Sequence, residues 1–422
     1  MTKKDFLPNL RTNILGLFTL HGFGFLITFA SISYLTNIFG VSGWGKIVFV
    51  QLVLNYVCWI TNWGFYLGGT KTIASFRGKP GEINNFLSNG LGAQLFLTVF
   101  AIFVLSLFVL FIDILRADKV IYFSGLLVVI GNLLMPLWFL NGLEKIIESS
   151  VIQLTVKSLS LIFYFLFIKN QSQIYLYFLI NGSLMIFVGV LLLIWINFGI
   201  GCKIKRPHIP CVLKIIKDNT SLFMSTIVAN INTSIIPFSI GIIVGEQSLG
   251  YFNIADRMRT AAVQVLHPIS HALFPRMGYL MANARSEAKK LAIKSGFILG
   301  CLSLLLSFLL LIFSQDIVFF IAGEKFSGSI LILQIIAFSP FLTTLYAFFV
   351  YQLAIPAGLN SIYLLSVMMM SALNGIAIVP ALYHFGLMGA AILVILIEFC
   401  GLALLVYLTL LKKSIFTFDT VK

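Results

Sequence analysis

Apolar residues run along this chain in long, unbroken blocks, and short polar stretches separate one block from the next. A block such as LGAQLFLTVFAIFVLSLFVLFI, starting at Leu91, shows none of the two-residue alternation that a barrel strand needs. It is long enough to cross a hydrocarbon layer of ~30 Å as a helix, which takes roughly 18 or more apolar residues. Only a helix or a closed barrel satisfies its backbone in lipid, so the pattern predicts helices. Twelve are expected, at about 14–36, 47–67, 88–112, 120–140, 148–168, 174–198, 220–244, 251–274, 291–313, 328–353, 360–383 and 388–411. The gaps between them are short, so any chemistry is expected within the helices or in their loops.

Composition agrees with this pattern. Of 422 residues 59% are hydrophobic and only 10% charged, an apolar content that lipid can cover and water cannot. The net charge of +14 is distributed unevenly. With twelve crossings, 19 Lys and Arg lie on the side of the termini and five on the other, which by the positive-inside rule makes both termini cytoplasmic. The basic balance is therefore a matter of topology, and nucleic acid is not an expected partner. The N-terminal lysines precede an apolar run with no clear small-residue cleavage site, which reads as an uncleaved first helix. Cys58, Cys202, Cys211, Cys301 and Cys400 have no metal spacing and read as reduced; no metal or other cofactor is expected.

The longest and most basic loop, GIGCKIKRPHIPCVLKIIKDNT, follows the sixth block and divides the chain into an N-terminal half (1–200), a linker (201–219) and a C-terminal half (220–422). IFGVSGWGKIV after the first helix and IVGEQSLGYFN after the seventh both carry two glycines five apart, Gly40/Gly45 and Gly245/Gly250. One short match can be turn chemistry alone. Its position favours duplicated bundles, a common layout of secondary transporters.

One predicted helix breaks the apolar rule. GYFNIADRMRTAAVQVLHPISHALFP, from Gly250 to Pro275, carries Asp256, Arg257 and Arg259. At ~3.6 residues per turn, Asn253, Asp256, Arg257, Arg259, Thr260, Gln264, His267, Ser270 and His271 share one face. Ile254, Ala255, Met258, Ala261, Ala262, Val265, Leu266, Ile269, Ala272 and Leu273 fill the other. Three readings fit. The helix lies flat on the membrane surface; or Asp256 and Arg259, three residues apart, form a pair that joins helices; or the face lines a wet cavity. A charge at mid-bilayer costs ~3 kcal/mol or more without water or a partner, and several on one face suggest a pathway. Pro268 would kink the helix.

Lys157, in the fifth block, and Glu398, in the twelfth, are also ionisable groups where lipid disfavours them, either as a pair or as functional groups. Asn230 lies on a polar face of the seventh block. The expected interior is net cationic, which suits an anionic cargo: Lys157, Arg257 and Arg259 for its headgroup. Asn230, Thr260, Gln264, His267 and His271 would serve its hydroxyls, and Asp256 or Glu398 would couple to a proton or sodium ion.

GYFNIADRMRTAAVQVLHPISHALFPRM resembles the eighth helix of polysaccharide flippases of the multidrug/oligosaccharidyl-lipid/polysaccharide (MOP) superfamily, especially the Wzx-type O-antigen flippases. The matching positions are Gly250, Tyr251, Ala255, Asp256, Arg257, Pro268 and Phe274–Arg276. MPLWFLNGLEKI is similar to the family's exit from the fourth helix, with Asn141 where Gln is common. YLTNIFGVSGWGKIVFVQ and NWGFYLGGTKTIASFRGK are similar to its first helical pair and basic loop. The resemblance implies an all-α integral membrane protein with 12 transmembrane helices in two six-helix bundles around a central cavity. It further implies alternating access and an undecaprenyl-pyrophosphate-linked oligosaccharide carried from the cytoplasmic to the periplasmic leaflet of a bacterial inner membrane, beside polysaccharide assembly proteins. An exporter of organic cations from the same superfamily is the alternative, although its cavity should be acidic or apolar. A membrane-embedded polymerase or ligase would need a larger outer loop.

Overall fold

The computed structural model describes the backbone from Leu10 to Leu411 and side chains from Gly22, except those of Ile114, Ala229, His267, Pro268, His271, Ala272 and Leu410. The side chains of His267 and His271, expected on the polar face, thus lie outside the described residues. Every regular element among the described residues is helical. Among the described residues eight helices are long and apolar enough to cross a membrane, or nine when Ile209–Val228 and Asn230–Ile243 count as one bent span.

The chain divides into two compact units, Met1–Gly43 with Ile47–Ile231, and Trp44–Lys46 with Asn232–Lys422. The first unit holds α1 (Leu10–Asn62), α2 (Phe65–Ser75), α3 (Pro80–Phe111), α4 (Asp113–Arg116), α5 (Lys119–Leu134), α6 (Leu137–Gly142), α7 (Ile146–Phe167), α8 (Ile174–Ile194) and the start of α9 (Ile209–Ile243). At ~1.5 Å per residue the 53 residues of α1 are long enough for two crossings. Gly40, at φ 66°, breaks it between them. The left-handed Trp63 and Gly64 stop α1, and Met135–Pro136 separates α5 from α6. Around these breaks Phe65, Ile73, Leu87, Trp138, Phe139 and Leu140 form a buried core. α5 and α8 pack closely because Gly182 lets the Leu127 backbone approach; a Cβ there would fall 2.6 Å from its carbonyl carbon.

The second unit comprises the rest of α9, then α10 (Glu246–Asn283), α11 (Arg285–Ile312), α12 (Ser314–Ala322), α13 (Gly328–Ile336), α14 (Ser339–Phe348) and α15 (Asn360–Leu411). α15, 52 residues long, is broken at Gly386, φ 55°. A π-turn over Phe349–Ala354 extends α14 and buries Gln352, whose Oε1 accepts a hydrogen bond from Ser295 Oγ at 2.6 Å. α10 packs against α11, α13 and α14, which sets the environment of its charged residues.

Candidate functional site

α10 starts at Gly245, where φ of 104° is open to glycine and strained for other residues. Along the helix Ile254, Ala255, Met258, Ala262 and Leu266 are buried, as the apolar face requires. Asn253, Asp256, Arg257, Arg259 and Thr260 are half-buried, and Gln264 is exposed. Three positions depart from the expected division. Val265 and Ile269 belong to the apolar side yet are exposed, while Ser270 is buried. In a membrane span an exposed apolar side chain meets lipid, so such a helix need bury only the strip that touches its neighbours.

Arg259 is the hub of the site. Its Nε donates to Asp256 Oδ1 at 2.8 Å on the same helix, and its Nη1 donates to Glu398 Oε1 at 2.9 Å on α15. The same Nη1 donates to Ser339 Oγ at 2.9 Å, at the start of α14. The side chains of Arg259, Asp256 and Glu398 are 20%, 32% and 14% exposed. Sequence alone paired Arg259 with Asp256; folding brings in Glu398, 139 residues away. Glu398 Oε2 and Thr343 Oγ1 are buried without a hydrogen-bond partner among the described residues. With both carboxylates ionised the three groups carry one excess negative charge, so the cluster is balanced by one proton or one monovalent cation.

Arg257 makes a second set of contacts. Its Nε donates to Asn253 Oδ1 at 2.9 Å, and its guanidinium lies 5.5 Å from the centre of the Trp44 ring. Trp44 Nε1 donates to the same Asn253 Oδ1 at 3.2 Å. Gly45 makes this approach possible, because a Cβ there would sit 1.8 Å from Glu246 O and 3.0 Å from Gly250 N. Gly45 and Gly250, one glycine from each of the two pairs read in the sequence as a repeat, thus lie against each other. Gly40 and Gly245 turn the chain in the left-handed region, and Gly45 lies against the first turn of α10. Lys46 and Glu246 stand 3.7 Å apart beside them.

Lys157 and Asn230 belong to the first unit. Lys157 is exposed on α7, and Asn230 lines a pocket of about 670 Å³. A further concavity of about 800 Å³ gathers Lys71, Lys205, Arg206 and Lys214 with Glu82 and Asp218. Sequence reading took those cations as topology alone. The linker is held against α3 by backbone donors, Lys205 N to Ser88 Oγ at 2.9 Å and His208 N to Asn89 Oδ1 at 2.8 Å. Ser339 escaped the sequence reading, since an isolated Ser carries no periodic signal; Trp44 lies in a stretch similar to the flippases, but its contact with Arg257 forms only on folding.

These features sit in a known fold. The chain is similar to an inward-facing MATE-family multidrug resistance transporter of the MOP superfamily, with a TM-score of 0.70 over 94% of this chain and 96% of that one, at 13% identity. It is also similar to a MOP superfamily transporter from Pyrococcus furiosus, with a TM-score of 0.58 over 96% and 95%, at 14% identity. Apolar spans and fold together define a multi-pass, all-helical membrane protein with the fold of MOP transporters. Residues 10–281 match the family described as "Polysaccharide biosynthesis protein", and the chain belongs to that family. A relative from Escherichia coli K12, named "Putative O-antigen transporter", is 27% identical over 346 residues, covering 80% of this chain and 81% of its own length. One of the same name from Shigella dysenteriae is 25% identical over 304 residues, covering 71% and 76%.

Proposed function

We propose that this protein is a flippase. It moves an undecaprenyl-pyrophosphate-linked oligosaccharide, the repeat unit of O-antigen or a similar surface polysaccharide, from the cytoplasmic to the periplasmic leaflet of the bacterial inner membrane. Twelve crossings in two six-helix bundles, residues 1–200 and 220–422 joined by 201–219, alternate in access, with both termini cytoplasmic. Doubling α1 and α15 at Gly40 and Gly386, and adding α9 and α10, brings the count of spans to twelve, which supports this layout.

The observation that carries the reading is the charge cluster of α10 in a member of a polysaccharide family. Arg257, whose guanidinium is bound to a neutral amide and faces an aromatic ring, is the cation for the pyrophosphate. Lys157 assists from the first unit; Thr260, Gln264, His267, His271 and Asn230 serve sugar hydroxyls. Arg259 holds Asp256 and Glu398, and uptake of a proton or sodium ion by these carboxylates releases it toward the anionic cargo.

The test is complementation of a deletion strain. The parent gene is expected to restore surface polysaccharide. Arg257→Ala is expected to cut it at least tenfold with normal amounts of protein in the membrane, and Arg257→Lys to recover part of it. Unchanged polysaccharide in both Arg257→Ala and Arg259→Ala would sink the assignment.

A further inference from the structure

The first unit contains a pocket whose chemistry differs from that of the α10 cluster. Its lining, of about 670 Å³, includes no Asp, Glu, Lys or Arg among the described residues. Amides dominate instead: Asn62, Asn132, Asn141, Gln153 and Asn230, with the aromatic rings of Trp59 and Tyr66 beside them. The volume lies within the range of small-ligand sites, about 300–1,000 Å³.

Broken helices build this pocket. Asn62 is the last residue of α1 before the left-handed Trp63 and Gly64, and Asn132 stands just ahead of the Met135–Pro136 break. Asn62 Nδ2 donates to Cys58 O at 3.0 Å and to Asn132 Oδ1 at 3.3 Å. That leaves Asn62 Oδ1 as an acceptor and Asn132 Nδ2 as a donor, side by side and without a partner among the described residues. A hydroxyl group, which both donates and accepts, completes such a pair. Ser150 and Thr226, also in the lining, donate to backbone carbonyls of their own helices at 3.0 and 2.9 Å, so their oxygens retain lone pairs for a ligand hydroxyl. Trp138 forms a fixed wall, its Nε1 donating to Gln94 Oε1 at 3.0 Å.

We infer that this pocket is a binding subsite for neutral sugar, distinct in chemistry and place from the cationic residues of α10. A pyranose ring presents hydroxyls around its edge and a C–H face to an aromatic ring, and the lining offers amides for the first and Trp59 and Tyr66 for the second. An anion finds no counter-charge here, and an apolar drug would leave the amides unpaired, which costs about 1–3 kcal/mol for each buried group. Such a site rejects analogues that lack one hydroxyl far more strongly than a hydrophobic pocket does. The pocket therefore sets which neutral sugars of the cargo are accepted, an assignment that rests on the flippase reading.

Two arms separate failure of the subsite from failure of that reading. Purified protein in nanodiscs is titrated with neutral methyl glycosides of hexoses and N-acetylhexosamines, and tryptophan fluorescence is recorded. At least one glycoside is expected to give saturable quenching that inorganic pyrophosphate does not displace. Asn132→Leu is expected to weaken it at least tenfold, as are Tyr66→Ala and Gln153→Leu, two exposed positions whose replacement leaves the core intact. No saturable glycoside, or equal binding by all three variants, overturns the subsite. In the deletion strain, the same variants at normal protein levels are expected to lower export of surface polysaccharide while the parent restores it. Full export by every variant also overturns the subsite; a parent that restores nothing overturns the flippase reading instead, leaving the titration to judge the pocket.

Discussion

Arg259 is tied to two carboxylates and a hydroxyl on three different helices, whereas Arg257 rests on an amide and a ring. Truncating Arg259 should therefore destabilise the fold. Arg259→Met strands Asp256 and Glu398 with no cation beside them, and breaking a buried pair from one side costs about 3–5 kcal/mol. The partial exposure of Asp256 moves this case to the lower end. The melting temperature of purified protein is expected to fall clearly for Arg259→Met. Adding Glu398→Met to Arg259→Met should recover part of the loss, with a coupling of about 1–3 kcal/mol; strictly additive shifts would rule out the pair as a structural tie. Sequence reading found both arginines, since charge in a lipid span is conspicuous. It could not pair Arg259 with Glu398, because helix periodicity orders residues within one helix and is silent about which helix lies opposite.

At the level of elements, the breaks organise the molecule more than the regular helices do. Trp63–Gly64, Met135–Pro136, Gly40, Gly245 and Gly386 each fall where a helix ends or turns back. Apolar blocks announce spans strongly, so nearly every helix was legible. Only Pro136 and the paired glycines hinted at the breaks, whereas α10 stays helical through Pro268, and only folding shows that Gly45 lies against α10. Gly45→Ala is expected to destabilise, since its Cβ would meet Glu246 O at 1.8 Å and overpacking costs about 1–3 kcal/mol. Gly278→Ala, in a helix with nothing within 4 Å, should be neutral or stabilise by about 0.5–1 kcal/mol. Folded yield and thermal midpoint of the two variants, measured side by side, check the contrast; equal behaviour would refute the close approach. The two stretches similar to flippase motifs also meet: Arg77 Nη2 lies 2.8 Å from Glu144 Oε1, and Gly142 of α6 lies against Ile73 of α2.

For the whole molecule, the uneven distribution of Lys and Arg predicts orientation. In an otherwise cysteine-free variant, Lys325→Cys is expected to react with a membrane-impermeant maleimide in intact cells, and Lys205→Cys only after the inner membrane is opened. Reversed labelling would invert the proposed direction of transport. The membrane class was legible from apolar content alone, because no water-soluble core hides so much apolar surface. The neutral pocket was not legible as a whole: apart from Asn230 on α9, its amides come from α1, α5, α6 and α7, each unremarkable on its own helix. Uncharged polar residues in a span usually satisfy themselves on the backbone, so they stand out only once several are seen around one space.

Under the proposed coupling, the charge arithmetic around Arg259 also bounds the work that the membrane potential supplies. Two carboxylates against one guanidinium leave room for a single positive charge, so the proposed coupling would import one cation per cargo. One charge crossing 100 mV yields ~2.3 kcal/mol, and each tenfold difference in cargo between leaflets takes ~1.4 kcal/mol, ignoring the cargo's own charge. Such an engine holds a leaflet imbalance of only about 40-fold per 100 mV. Efficient export would then depend on enzymes that consume the delivered unit on the far side, keeping its concentration there low.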